Sequence, residues 1–216
     1  MHVITFEKET HEILVQSRAI LTDDHFVYIS GHHGSGWIDK DTIFVDLRRV
    51  EQLGKWLAEL VKDLQPDMLC GPATGGLIVA QWTAAALGLP AVFAEHEDHH
   101  RRTEIWGRFI LRRGYDTLVK GRRVLVVDDV VNSGHSIRQT ASAVRAAGGE
   151  VVGGAAFVHR GNVGAADMEI PDFRYLLEHD IPEWPATECP LCKSQQPINT
   201  RYAHGLDYLQ AKETGD

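Results

Sequence analysis

The spacing of apolar residues predicts a chain in which strands and helices alternate. The strongest helix signal covers residues 47–64, where apolar side chains recur at helical spacing. A second helix is expected over 75–87, after a short apolar strand at 68–70. The same pattern predicts a helix over 8–20, irregular strands over 26–46, strands at 91–94 and 151–158, and a hairpin arm at 108–111. Strands that alternate with helices form βαβ units, so we expect an α/β fold with a parallel sheet flanked by helices.

The most informative stretch is the apolar strand predicted at 124–127, which runs directly into Asp128 and Asp129. A strand that is apolar on both faces belongs in the middle of a parallel sheet. Ligands of such sheets bind beyond the carboxyl ends of the strands, so these two acids stand where a small molecule would bind. A helix is predicted over 137–147, directly after this region.

The loop between the acids and that helix has the features of an anion site. Backbone N–H groups at a helix N-terminus bind phosphate, and Ser136 with Gln139 predicts a capping box that opens the helix. Two carboxylates about 5 Å apart repel by roughly 3 kcal/mol at an effective dielectric of about 20. Ribose hydroxyls or a hydrated magnesium ion would counter that repulsion, so a ribose 5-phosphate fits both features. The plainer alternative is a buried strand that ends in a solvated Asp-Asp turn.

Residues 124–136 resemble the phosphoribosyl pyrophosphate signature of type I phosphoribosyltransferases. That signature has an apolar strand, two acids, two apolar residues, Thr-Thr-Gly or a variant, and a closing Ser or Thr. Here Asn-Ser-Gly replaces Thr-Thr-Gly, which keeps the small polar side chains and the glycine. The resemblance implies that Asp128 and Asp129 act in catalysis, holding the ribose diol and Mg²⁺. It also implies a 5-phosphate site made by Asn132, Ser133, Gly134, His135 and Ser136.

A second glycine-rich loop follows the strand at 68–70. Its glycines let the backbone turn sharply and approach a ligand closely, although such turns also serve packing. In the resembling family this position holds the pyrophosphate loop. The resemblance therefore implies a pyrophosphate site made by Pro72, Ala73, Thr74, Gly75 and Gly76.

Two regions concern the acceptor base. Residues 28–41 resemble the hood segment of orotate phosphoribosyltransferases, and residues 157–161 resemble the place where that family sets an arginine near orotate. The resemblance implies base contacts from Arg160 and His33. A planar guanidinium suits a base that carries a carboxylate, while a surface strand end is the alternative interpretation of Arg160.

One segment departs from the orotate family. Those enzymes usually carry lysines after the strand at 91–94 and in the mobile loop that follows, whereas residues 95–104 contain none. Arginine can supply the missing charge bidentately, so Arg101 and Arg102 are expected to neutralise the leaving pyrophosphate. The alternatives are a protein that transfers slowly and one that only binds.

Composition narrows the class of protein. The chain has 216 residues and a net charge of −8, which favours one core and disfavours nucleic acid as a partner. Residues 101–123 nevertheless carry eight basic and two acidic side chains, suiting either a small anionic substrate or solvated turns. No apolar run suggests a membrane segment. The three cysteines predict a reducing compartment, with the cytoplasm as the default.

Cys189 and Cys192 form a Cys-x-x-Cys pair near the C-terminus. Such a pair can be half of a zinc site, but four ligands are needed, and His179, His204 and Cys70 are the candidates considered. Structural pairing or packing of the two cysteines is favoured over zinc.

We therefore expect a single phosphoribosyltransferase-like domain over residues 1–216. Its core covers about 47–179, and a small hood is built from about 1–46 and 180–216. The expected reaction transfers ribose 5-phosphate from phosphoribosyl pyrophosphate to a nucleobase, with orotate as the favoured base and Mg²⁺ as cofactor. A purine or other-base phosphoribosyltransferase and a non-catalytic phosphoribosyl pyrophosphate-binding regulator are the alternatives. The resemblance further implies a homodimer.

Overall fold

The computed structural model describes residues 3–97, 108–161 and 163–214. In chain order the helices are α1 (Val3–Gln16), α2 (Asp41–Phe44), α3 (Leu47–Val61), α4 (Gly75–Leu87), α5 (Tyr115–Val119), α6 (His135–Ala146), α7 (Pro190–Lys193) and α8 (Gly205–Thr214). The strands are β1 (Ile20–Leu21), β2 (Phe26–Val27), β3 (His33–Gly34), β4 (Trp37–Ile38), β5 (Met68–Pro72), β6 (Ala91–His96), β7 (Phe109–Ile110), β8 (Arg123–Val131), β9 (Glu150–His159), β10 (Phe173–Glu178) and β11 (Glu183–Trp184).

The central sheet has the strand order β10-β9-β8-β5-β6-β7. Its first five strands are parallel, and the short edge strand β7 pairs antiparallel with β6. Because β8 and β5 are neighbours, the loops that follow them lie at the same edge of the sheet. The order places both glycine-containing loops where ligands of parallel sheets bind.

Helices cover both faces of this sheet, and the alternation of side chains along β8 decides which residue faces which helix. Leu125 and Val127 pack in the core beneath α3 and α4, while Val124 and Val126 pack in the core beneath α6. Successive strand residues point to opposite faces, so Asp129 continues the Leu125–Val127 row towards α4. This register brings an acid to the N-terminus of α4.

Small strands from the two ends of the chain pair beside the sheet. Strand β3 pairs antiparallel with β2 on one side and with β11 on the other, while β1 pairs with β4. Since β11 lies near the C-terminal end, the three-stranded sheet joins both chain ends, as predicted for the hood. Within the described residues, no helix has the length and apolar character needed to cross a bilayer.

The fold class and the alternation of elements are confirmed, while several details differ. Helix α6 begins at His135, and Gly134 precedes it with a left-handed φ of +70° and no side-chain cap. The predicted capping box is therefore wrong, because Ser136 lies inside the first turn. Strand β8 extends through both acids to Val131 instead of ending before them. Strand β10 was not predicted, because an edge strand is only partly buried and lacks a continuous apolar run.

Candidate active site

The two acids are consecutive residues in the second half of β8, and both are buried. Asp128 is 8% exposed and Asp129 is 5% exposed. Each carboxylate accepts a hydrogen bond from the next backbone N–H, at 2.9 Å from Asp129 N and 2.6 Å from Val130 N. Burial, and then the negative charge of Asp129, raise the pKa of Asp128 well above its usual range. The site thus holds two charges that call for a cation or for hydrogen-bond donors.

Lys40 supplies one cation to this pair. Its ammonium Nζ lies 2.9 Å from Oδ2 of Asp129, and its side chain is 37% exposed. Burial alone would lower the pKa of Lys40, but the attraction of Asp129 and Asp128 outweighs burial and raises it. Lys40 therefore stays protonated beside the acids.

Sequence reasoning gave Lys40 no role. The residue lies between β4 and α2, flanked by Asp39 and Asp41, a pattern typical of a solvated turn. The sequence signal that could have identified Lys40 as a site residue was its position within the hood-like segment 28–41.

The loop after β8 forms one wall of a cavity that begins at the acids. Gly134 has φ +70°, and a β-carbon there would lie 2.5 Å from Cγ of Met168. Only glycine therefore fits this turn without displacing its neighbours. Because α6 starts at His135, the N-terminal end of the helix, with its partial positive charge, lies at the cavity and favours an anion there.

The described lining of the cavity includes all five residues of the predicted 5-phosphate site. It also includes hood residues from the N-terminal segment and one residue from the C-terminal segment. The lining residues are Tyr28, Ile29, Trp37, Ile38, Lys40, Asp128, Asp129, Val130, Val131, Asn132, Ser133, Gly134, His135, Ser136, Ile137, Arg160 and His204.

The loop at 72–76 adjoins the acids without lining this cavity. A β-carbon on Gly75 would lie 1.5 Å from Oδ2 of Asp129 and 3.0 Å from Nζ of Lys40. The backbone of the loop therefore approaches the acid as closely as a glycine allows. Gly71 has a similar constraint, because a β-carbon there would lie 2.0 Å from the carbonyl oxygen of Gly76. The two loops meet at the Lys40–Asp129 pair.

Arg160 also lines the cavity and is 3% exposed. Its guanidinium carbon lies 4.4 Å from the ring centroid of Tyr28, a cation–π contact. Its Nη2 is 3.8 Å from a carboxylate oxygen of Glu183, and its Nε has no hydrogen-bond partner among the described residues. A buried cation with an unused donor suits an anionic ligand.

His33 does not reach the cavity, so the structure does not support the base contact expected for it. Strand β3 holds its ring fully buried on the other side of the hood, where Nδ1 lies 2.8 Å from Nε2 of His25. Tyr28, Trp37 and His204 line the cavity instead. Aromatic residues in the hood-like segment were the available signal for the first two.

The basic segment is partly engaged in ion pairs. The carboxylate of Glu95, which is 7% exposed, lies 3.1 Å from Nη2 of Arg113 and 3.6 Å from Nε of Arg112. Arg123 pairs with Glu150 at 3.0 Å. These arginines hold strand ends together, as the solvated-turn interpretation expected. Arg101 and Arg102 lie outside the described residues.

Comparison with known proteins agrees with this architecture. The chain matches the phosphoribosyl transferase domain over residues 41–191, and it therefore belongs to the phosphoribosyltransferase family.

Individual relatives are more specific. An orotate phosphoribosyltransferase from Caldanaerobacter subterraneus subsp. tengcongensis is 35% identical over 192 residues, covering 89% of this chain and 95% of that protein. Orotate phosphoribosyltransferase from Mycobacterium tuberculosis in complex with 5-phospho-alpha-D-ribosyl 1-diphosphate superimposes with a TM-score of 0.58 at 25% identity, covering 79% of this chain and 94% of that chain. A phosphoribosyltransferase from Corynebacterium diphtheriae gives a TM-score of 0.63 at 25% identity, covering 81% and 96%. The predicted family is confirmed.

Proposed function

We propose that this phosphoribosyltransferase transfers ribose 5-phosphate from phosphoribosyl pyrophosphate to orotate. The observation that carries the proposal is the arrangement of three charged groups around one cavity. A buried acid pair with Lys40, the N-terminus of α6 and the buried guanidinium of Arg160 all line this cavity. The ribose diol matches the acid pair, the 5-phosphate matches the helix N-terminus, and an anionic base matches Arg160.

The donor substrate fits the β8 edge of the cavity. The ribose hydroxyls donate to Asp128 and Asp129, and the 5-phosphate accepts from the backbone of residues 132–136. The pyrophosphate lies towards the loop at 72–76, which reaches the same acids through Gly75. The donor thereby spans both loops, with its anomeric carbon above the acids.

Magnesium fits the donor set of this site. Two adjacent carboxylates are hard oxygen ligands, and their burial favours a bound cation in addition to Lys40. Asp128 and Asp129 would hold the ion directly or through water. When bound, Mg²⁺ would neutralise charge on the pyrophosphate as it leaves.

Side chains of the protein itself promote the substitution at the anomeric carbon. The bond from the anomeric carbon to the pyrophosphate oxygen breaks while a bond to the ring nitrogen of orotate forms, and the sugar ring carries positive charge in between. The ring nitrogen releases its proton to solvent, and pyrophosphate leaves as the anion. The fixed acids stabilise that charge, because they lie preorganised in a buried site. Lys40, which lies beside Asp129, stabilises the negative charge on the departing pyrophosphate. Its positive charge adds to that expected from Arg101 and Arg102, because segment 95–104 contains no lysine.

Orotate is favoured over other bases by Arg160. A neutral purine offers no anion to a buried guanidinium, whereas the orotate carboxylate accepts from it in a bidentate manner. The ring would lie near Tyr28 and Trp37, whose own rings stack with centroids 6.2 Å apart. The relatives named orotate phosphoribosyltransferase support the same base.

Pyrophosphate release tests the proposal. The protein is incubated with Mg²⁺, phosphoribosyl pyrophosphate and one base at a time, using orotate, uracil, adenine, guanine and hypoxanthine. Release with orotate alone is expected, and Asp129→Asn should abolish it while circular dichroism stays unchanged. Release with a purine instead would identify a different transferase. Tight binding of phosphoribosyl pyrophosphate without release for any base would identify a regulator.

The assembly and location of the protein belong to the same proposal. We expect a cytoplasmic homodimer, because phosphoribosyl pyrophosphate is an intracellular metabolite and the resembling family forms dimers. Light scattering after size-exclusion chromatography would measure a mass near twice 24.1 kDa. A monomeric mass over the working concentration range would contradict the dimer.

A further inference from the structure

A second cluster of chemically active side chains lies in the hood, outside the cavity. His25, His33, Cys189 and Cys192 each turn one ligand atom to a common point, and these atoms all lie within 4.8 Å of one another. The first three side chains are buried, and Cys192 reaches the surface. Both cysteines are free thiols.

The separations within the cluster are those of a tetrahedral metal site. Bonds of about 2.3 Å to sulfur and about 2.0 Å to nitrogen give tetrahedral edges of about 3.6 Å between N and S. Sγ of Cys192 lies 3.3 Å from Nδ1 of His33 and 3.8 Å from Nε2 of His25. Sγ of Cys189 lies 3.7 Å from the same His25 nitrogen. The two ring nitrogens are closer, at 2.8 Å, which also matches a direct hydrogen bond.

The surroundings of the cluster resemble a ligand shell. The outer nitrogen of His25, Nδ1, lies 2.8 Å from the carbonyl oxygen of Gln196. A carbonyl only accepts, so Nδ1 carries the proton and Nε2 turns a bare lone pair towards the cluster. The backbone N–H of Cys192 points to Sγ of Cys189 at 3.5 Å, an arrangement that stabilises a thiolate.

We propose that these four side chains form a structural zinc site. Two sulfurs and two imidazole nitrogens in tetrahedral array are the ligand set that zinc prefers, and four protein ligands leave no open position for catalysis. Binding releases the two thiol protons to solvent, and the resulting thiolates neutralise the ion. Cys192 at the surface gives the ion a route to the site.

Zinc at this place would hold the two ends of the chain together. His25 directly precedes β2 and His33 is the first residue of β3, whereas Cys189 precedes α7 and Cys192 lies within it, in the C-terminal segment. That segment runs along β2, where the N–H of His204 donates to the carbonyl oxygen of Val27 at 2.9 Å. Tyr28 and His204 both line the cavity, so zinc fixes two parts of its wall. The ion would support the site without touching the substrates.

Metal analysis of the purified protein tests the proposal, and its result does not depend on which reaction the cavity catalyses. Mass spectrometry should find about one zinc per chain in protein grown with zinc and purified without chelator. Cys192→Ser and His25→Asn should each lose more than about nine tenths of it. The matched controls Cys70→Ala and His32→Asn should keep it, because Cys70 lies in β5 and His32 faces Glu183.

Two measurements on the wild type keep the proposal testable if the variants fail to fold. A mercurial thiol reagent should release the zinc to a coloured chelator. Cobalt exchanged for zinc should show the visible bands of a tetrahedral ion together with a thiolate charge-transfer band. Folded protein without zinc and without cobalt bands would overturn the proposal, leaving a His25–His33 hydrogen bond. Cys189 and Cys192 recovered as a disulfide from freshly purified protein would also overturn it.

Discussion

The ammonium nitrogen of Lys40 lies 2.9 Å from Oδ2 of Asp129, and this charge pair joins the hood to the edge of the sheet. Gly75 lies against the same two atoms, which places the pyrophosphate-type loop in the same contact. Three segments distant in sequence therefore meet where the proposed chemistry takes place.

Replacing Lys40 tests that contact. Lys40→Met should lower the turnover of orotate by roughly 10²-fold, the size of losing one good electrostatic contact in a transition state. The loss should appear in kcat more than in KM for orotate, because the charge acts on the leaving group. Lys55→Met is the matched control, since Lys55 pairs with exposed Glu51 on α3. Wild-type kcat in Lys40→Met would remove the residue from the reaction.

Asp128 provides a prediction about stability and pH. Because the pKa of Asp128 is raised in the folded protein, the folded state binds this proton more tightly than the unfolded state. Stability then falls as pH rises from the unfolded pKa through the raised one, and the full cost is present only above the raised pKa. Asp128→Asn should thus raise the melting temperature at pH 7, by roughly 2–4 °C for each kcal/mol relieved, while abolishing transfer.

The gain from Asp128→Asn should shrink as the pH is lowered, because the wild-type carboxyl becomes protonated too. Calorimetric melting curves of both proteins from pH 4 to pH 8 measure this difference. An equal or growing difference at low pH would contradict the assignment of the cost to the Asp128 charge. A lower melting temperature at neutral pH would do so as well.

Gly134 tests the 5-phosphate site. Gly134→Val should abolish the binding of both phosphoribosyl pyrophosphate and the product nucleotide, because its side chain would displace Met168 and distort the loop. Gly114→Val is the control: its φ of +80° resembles that of Gly134, and a β-carbon there would have no described atom within 4 Å. Titration calorimetry on both variants separates backbone strain from loss of the site. Unchanged affinity for either ligand in Gly134→Val would place the phosphate elsewhere.

Arg160 tests the preference for orotate. Arg160→Met should raise KM for orotate by at least about tenfold, since one charge-assisted hydrogen bond is worth roughly 1.5–3 kcal/mol. Affinity for phosphoribosyl pyrophosphate should stay near wild type and serves as the internal control. Because the change leaves Glu183 without its cation, the double variant with Glu183→Gln guards against loss of folding. Equal KM values in wild type and the double variant would contradict the base contact.

The sequence predicted the edge of the sheet more completely than it predicted the hood. A buried strand, two acids and a glycine loop are contiguous, so their order predicted the acids and the loop at 132–136 together. Helix α3, which has a clear apolar face, was predicted within a few residues for the same reason. A local sequence pattern is sufficient to predict a feature that is built from neighbouring residues.

The hood is held together by contacts between segments that are distant in sequence. The periodicity of apolar residues along the chain does not predict such contacts. Lys40 meets Asp129 across 89 positions, and His25 meets Cys189 across 164. His33 was expected at the base because its segment resembles one that contacts orotate. The two-residue strand β3 turns it inward, to the cysteines. Only the pairing of β2, β3 and β11 determines which of those residues face the cavity.

The basic segment provides the final prediction. Arg101 and Arg102 are expected to neutralise the pyrophosphate as its charge grows, since Arg112 and Arg113 are already paired with Glu95. A double change of Arg101 and Arg102 to Ala should lower turnover by roughly 10²-fold and leave nucleotide binding nearly unchanged. Changing Lys120 and Arg122 to Ala removes the same charge from the same segment, but both residues lie just before β8, at the opposite edge of the sheet from the acids. An equal loss of turnover in the two double variants, relative to wild type, would show that the overall charge of the segment matters and that these two arginines have no special role.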